Sequence, residues 1–95
     1  MNLELNYEGF ATYLVSMEPN LRGIQYIFKF PNNYGASVIK HEYSCGHDLD
    51  LWELAVIWWR DGEWELDSST DITDDIVGCQ TDEEIRDLLR QIKEL

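Results

Sequence analysis

The chain has 95 residues, 44% of them hydrophobic and 13% aromatic, with a formal net charge of −12. That length gives one domain, residues 1–95, and that apolar content is too high for a disordered acidic tail. No run approaches the about 18 apolar residues needed to span a bilayer, and "MNLELNYEGF" has no basic segment followed by an apolar stretch, so the expectation is a non-secreted, cytoplasmic protein with no membrane partner.

The charge is unevenly placed. Residues 1–47 hold four acids against three bases, leaving −1, whereas residues 48–95 hold fifteen acids against four bases, leaving −11. Such a half repels nucleic acid and anionic membrane and attracts basic surfaces.

In chain order, Phe10, Tyr13, Leu14 and Met17 stand at i, i+3, i+4 and i+7, which predicts a short N-terminal helix weakened by Gly9 and ended by Pro19. "EPNLRG" reads as a turn. "IQYIFKF" alternates, placing Ile24, Tyr26, Phe28 and Phe30 on one face of a strand. "PNNYG" then combines a proline, which cannot join a ladder, with Asn and Gly, which tolerate positive φ; it predicts a hairpin loop leading into "ASVIKHEY" as the next strand. "SCGHDLD" reads as a loop. "LWELAVIWW" is apolar on both faces, as a covered central strand would be. "RDG" is a turn, and "EWELD" predicts a half-exposed strand with Trp64 and Leu66 on one face and Glu63, Glu65 and Asp67 on the other.

"SSTDITDDIVGCQ" reads as an acidic loop. "TDEEIRDLLRQIKEL" is the clearest helix. Thr81 and Glu84 have capping-box spacing, the first turn is acidic, and Ile85, Leu88, Leu89 and Ile92 form an apolar stripe. The predicted fold is α+β: a four-stranded antiparallel meander with a short N-terminal helix and a C-terminal helix packed on the sheet.

Several motifs together, "YIFKFPNNYGASVIKHEYS", "LWELAVI", "DGE" and "DITDDIVG" with a terminal helix, resemble a group of small bacteriophage and prophage proteins over roughly residues 24–93. The group brings no catalytic residues with it. Asn33 and the "SCGHDLDLW" loop depart from its pattern, so Cys45 and His47 are local features of this chain.

Metal and catalytic candidates are weak on spacing. His41, Cys45, His47 and Cys79 supply zinc-ligand atoms without a paired-cysteine motif, and two cysteines make no disulfide framework. "DSSTDITDD" starts like a calcium loop but has Ile72 where glycine is required. No phosphate loop, nucleophile elbow or dinucleotide fingerprint occurs, so the expectation is a non-catalytic protein without cofactor or metal, a small hydrolase being a distant alternative.

The tryptophans and acids point to binding. Two short helices cannot easily cover both faces of the sheet, which leaves Trp59, Tyr34 and Tyr43 as candidates for exposure. The carboxylates of Asp61, Glu63, Glu65, Asp67, Asp71, Asp74 and Asp75 could lie where phosphates would in a Lys/Arg channel. The expected function is a phage-type accessory protein that inhibits a basic, nucleic-acid-binding host protein of defence or replication, such as a CRISPR effector, by mimicry. The alternative is a structural or assembly protein whose acidity serves solubility.

Overall fold

A computed structural model describes residues 1–72 and 76–95. The fold is α+β, but the antiparallel sheet has six strands among the described residues, not four. They are β1 (Leu14–Asn20), β2 (Gly23–Lys29), β3 (Tyr34–Lys40), β4 (Trp52–Arg60), β5 (Glu63–Leu66) and β6 (Ile76–Gln80), followed by α1 (Asp82–Lys93). The first five lie in chain order, and β6 pairs with β4.

The expected N-terminal helix is replaced by a single 3-10 turn, Ala11–Tyr13, and strand β1. The helical spacing has a strand explanation. Leu14 pairs with Phe28 and Met17 with Tyr26, with a register shift between Leu14 and Ser16. One extra residue in a strand turns a period of two into a step of three. Residues 14 and 17 therefore share the core-side face without any helix. Pro19 fits because β1 is an edge strand.

The hairpin from β2 to β3 follows the expected course, with Lys29 opposite Gly35. The "PNNYG" stretch is more than a corner. Asn33 sits at φ +70, and the Asn32 side chain works in two directions. Its Oδ1 accepts from Tyr34 N–H at 3.0 Å, and its Nδ2 donates to the carbonyls of Ile92, Lys93 and Leu95 at 2.9, 3.2 and 3.2 Å. The loop thus ties the β2–β3 hairpin to the C-terminal end of α1.

At its other end α1 has the expected capping box, with Thr81 Oγ1 accepting from Glu84 N–H and Glu84 Oε1 accepting from Thr81 N–H. The helix lays Ile85, Leu89 and Ile92 over β3, β4 and β6. These join Tyr26, Phe28, Phe30, Val38, Trp52, Leu54 and Val56 in the main core. Leu5, Tyr7, Phe10 and Tyr13 of the N-terminal segment complete that layer.

Strand β4 is central, as its two-sided apolarity predicts. Its edge opposite β3 is shared. The half nearer its C-terminus pairs with β5 from Ile57↔Leu66 to Arg60↔Glu63, and the half nearer its N-terminus pairs with β6 at Ala55↔Ile76, Leu54↔Val77 and Trp52↔Gln80. Strand β6 falls within the segment expected to be a loop. A register shift opposite Trp52–Leu54, with Cys79 at φ +59, breaks the alternation that would have marked it.

Candidate functional site

The β4–β5 hairpin turns on Asp61 and Gly62, at φ +53 and +80, the left-handed pair that two-residue hairpin turns require. Beyond it every residue of β5 is exposed. Glu63 pairs with Arg60 and Glu65 with Trp58, so both carboxylates project from one side of the sheet, about 6.8 Å apart. Trp64 pairs with Trp59 and Leu66 with Ile57, on the opposite side. The expected partition of β5 is therefore correct, but its apolar residues meet a face that no helix among the described residues covers.

The other candidate acids are dispersed. Asp61 occupies the hairpin turn, and Asp71 is exposed. Asp67 is half-buried, and its Oδ1 accepts from the N–H and Oγ–H of Ser69, closing a local turn at the start of the calcium-loop-like stretch. Asp74 and Asp75 lie outside the described residues. Among the described residues the ion pairs are Arg22–Glu42, Lys40–Asp50 and Arg90–Asp87, so Asp61, Glu63, Glu65, Asp67 and Asp71 make no ion pair there, although Arg60 stands opposite Glu63 across the hairpin.

Two aromatic expectations are revised. Trp59 is buried, not exposed. It packs with Ile27 and Ile57 in a small second cluster, its Nε1–H donates to Phe28 O at 3.1 Å, and the Lys29 ammonium lies 5.5 Å above the ring. Gly35 makes this possible, because a Cβ there would stand 2.8 Å from Trp59 Nε1. Tyr34 is half-buried, edge-on to Trp58 with centroids 4.8 Å apart. The exposed aromatics are Tyr43 and Trp64.

On the uncovered face Ser37 and Ala55 form the floor of an open groove of about 230 Å³. Ile39, Trp64, Leu66 and Ile76 supply its apolar lining, and Asn20, Gln25 and Glu53 its polar rim. The groove was not visible in the sequence because Ile76 reaches it only through β6.

The four zinc-ligand candidates do not assemble as a metal centre. Cys45 and Cys79 form one disulfide, with Cα atoms 5.2 Å apart, where the sequence offers no disulfide framework. Glycine at 78 permits the approach, since a Cβ there would lie 2.6 Å from Cys45 Cβ. His41 Nδ1 accepts from Tyr43 N–H at 3.1 Å. His47 Nδ1 lies 2.8 Å from Ser44 O, which makes it the protonated nitrogen. No metal-holding cluster of three or more such side chains occurs among the described residues.

Sequence reasoning missed a buried cation. Lys40 shares the core-side face with Ala36 and Val38 and is buried. Its Nζ donates to Asn2 O at 2.7 Å, lies 3.8 Å from Asp50 Oδ1 and sits 4.1 Å above the Trp52 ring. Trp52 Nε1–H donates to Asp82 Oδ1 at 2.6 Å. Burial holds the Lys40 ammonium below its ordinary range, against the opposing pull of Asp50 and Asp82. The Asn2 N–H bond, helped by Lys40, holds the Asp50 carboxyl below its own. The period-two parity of β3 alone points Lys40 inward; the N-terminal segment that caps it carries no comparable signal.

No helix among the described residues is long and apolar enough to cross a membrane. Comparison of the chain with protein-family models, with curated proteins and with solved structures yields no match.

Proposed function

We propose that the chain is a non-catalytic binding protein that engages a basic partner through carboxylates at and beyond the β4–β5 hairpin. The observation that carries this reading is the run of acids that make no ion pair among the described residues, on a hairpin whose outer strand is fully exposed. A charge of −12 on 95 residues is otherwise a self-repulsion that the fold must tolerate. Facing a Lys/Arg channel, the same charge accelerates association and favours the complex. Proteins with channels built for nucleic acid, including CRISPR effectors, nucleases and polymerases, are the partner class, and the chain acts there as an inhibitor by mimicry. The phage-like sequence pattern supports that setting, in which the chain works in a host cytoplasm. Glutathione and thioredoxin would keep the Cys45–Cys79 pair reduced there, so its thiol state in cells tests the location.

The test is capture from a host lysate on immobilised protein, washed at low and high salt. Glu63→Lys with Glu65→Lys should abolish capture of a basic protein that is released by salt, while Glu4→Lys with Glu8→Lys should change it little. Both pairs are exposed, so neither variant should unfold. Equal capture by the two variants, with the same salt dependence, overturns the reading.

A further inference from the structure

The open sheet face has features that the carboxylate array does not explain. Leu66 is 60% exposed, Ile76 48% and Trp64 38%, on the two strands that share one edge of β4. Scattered exposed apolar residues are ordinary, but these line one concavity. The concavity arises from side-chain size. Ser37 and Ala55 are cross-strand partners, so small residues meet in mid-sheet between the larger Gln25 and Ile27 of β2 and the larger Ile76 and Leu66 beyond β4.

Size and charge select the occupant. At about 230 Å³ the groove falls below the range of about 300–1,000 Å³ typical of small-molecule sites, and it suits inserted side chains. A second copy would bring −12 against −12, and an anionic lipid surface would also be repelled. Among the described residues Glu53 lines the groove, Glu18 is paired with Gln25 beside it, and Lys29 holds its ammonium over Trp59. The charge bordering the groove is therefore acidic. The walls, on β2 at one side and on β5 and β6 at the other, run along β3 and β4, so an extended chain lying between them presents alternate side chains to the groove about 6.8 Å apart.

We infer that this groove binds an extended basic segment of a partner protein, which lays aliphatic side chains over Ser37 and Ala55 and sets a Lys or Arg beside Glu53. The inference rests on the reading of the chain as a binder of basic partners, and it adds the apolar contact that makes such binding selective. Charge supplies encounter, whereas desolvated apolar anchors supply most of the affinity in protein interfaces.

The full chain is titrated with three blocked heptapeptides while amide chemical shifts are followed. The first, Lys-Ser-Leu-Ser-Leu-Ser-Lys, places Lys and Leu on one face. The second replaces Leu by Ser, and the third replaces Lys by Glu. The first should bind saturably, with shifts concentrated at Ser37, Ile39, Ala55, Leu66 and Ile76. The second should bind at least tenfold more weakly, and the third should not bind. Leu66→Ser and Ile76→Ser, both at exposed positions, should each weaken the first peptide severalfold without lowering the melting temperature. Equal binding of the first two peptides, with shifts on the β4–β5 hairpin, overturns the groove and leaves the carboxylate reading standing. Equal binding of the first and third overturns the basic class of occupant. Failure of the first to bind at millimolar concentration, or its indifference to both serine variants, also overturns the groove, while the charge-reversal capture assay independently decides the carboxylate reading.

Discussion

The Cys45–Cys79 disulfide should dominate the stability of the oxidised chain. Its half-cystines are 34 residues apart in sequence. Cross-linking a loop of that length removes unfolded-chain entropy equivalent to about 3.8 kcal/mol at 25 °C. The left-handed backbone at Cys79, φ +59, works against this by roughly 1–2 kcal/mol, part of which the reduced chain recovers if β6 relaxes. A net loss of about 2–4 kcal/mol is therefore expected for Cys45→Ser with Cys79→Ser. At roughly 4–8 °C per kcal/mol for a domain of this size, the melting temperature should fall by about 8–30 °C. Urea unfolding followed by far-ultraviolet circular dichroism, with and without a phosphine reductant, measures it. Reduction of the parent should reproduce the double variant, and the denaturant slope should rise as the unfolded ensemble expands. The double variant itself should be indifferent to reductant. A parent midpoint unmoved by reduction would refute the reasoning, because the two sulfurs would then not be cross-linked in the folded chain.

Further outcomes follow from individual contacts. Thr81→Ala removes the cap on α1 and should cost about 1 kcal/mol in urea unfolding. Gly35→Ala places a Cβ 2.0 Å from Phe28 O and 2.8 Å from Trp59 Nε1, so it should cost at least about 1–3 kcal/mol and shift tryptophan emission. Because burial lowers the Lys40 pKa, the folded chain gives up this proton at lower pH than the unfolded chain, and stability should rise with pH between the folded value and the ordinary 10.5. Lys40→Met should flatten that rise on the alkaline side, below 10.5, in urea midpoints; Tyr26, whose hydroxyl pKa burial raises, acts in the opposite sense from its ordinary 10.0 upward. Because Asp50 titrates below its ordinary 3.8, the stability it contributes is complete above that value and is lost as pH falls through its folded value, so Asp50→Asn should reduce the acid sensitivity of unfolding.

Legibility in the sequence followed regularity. Strands β2 and β3, the central β4 and the capped α1 were readable because alternation, two-sided apolarity and the Thr81–Glu84 spacing each reflect one local rule. Strands β1 and β6 were not, and both contain a register shift that disrupts the period on which such a reading depends. The site divided in the same way. Exposure of Glu63 and Glu65 followed from strand parity. Burial of Trp59 depended on a missing side chain at Gly35 one strand away, and the groove depended on Ile76 arriving beside Leu66 from ten residues later. The disulfide was unreadable for a similar reason: Cys79 meets Cys45 only because β6 exists.

The shared edge of β4 also bears on how the protein breathes. Strand β5 is tethered by a two-residue turn, so its pairing with Ile57–Arg60 can open and reclose as a local hairpin. Strand β6 is held by a covalent bond to Cys45 in the β3–β4 connection and by the helix that follows it. One strand thus has partners of unequal permanence along its length. Hydrogen exchange in β4 should be faster on the hydrogen bonds to β5 than on those to β6, and reduction should erase the gradient by freeing the slower half. The half paired with β5 faces Glu63, Glu65, Trp64 and Leu66, so a local opening there would leave the main core undisturbed.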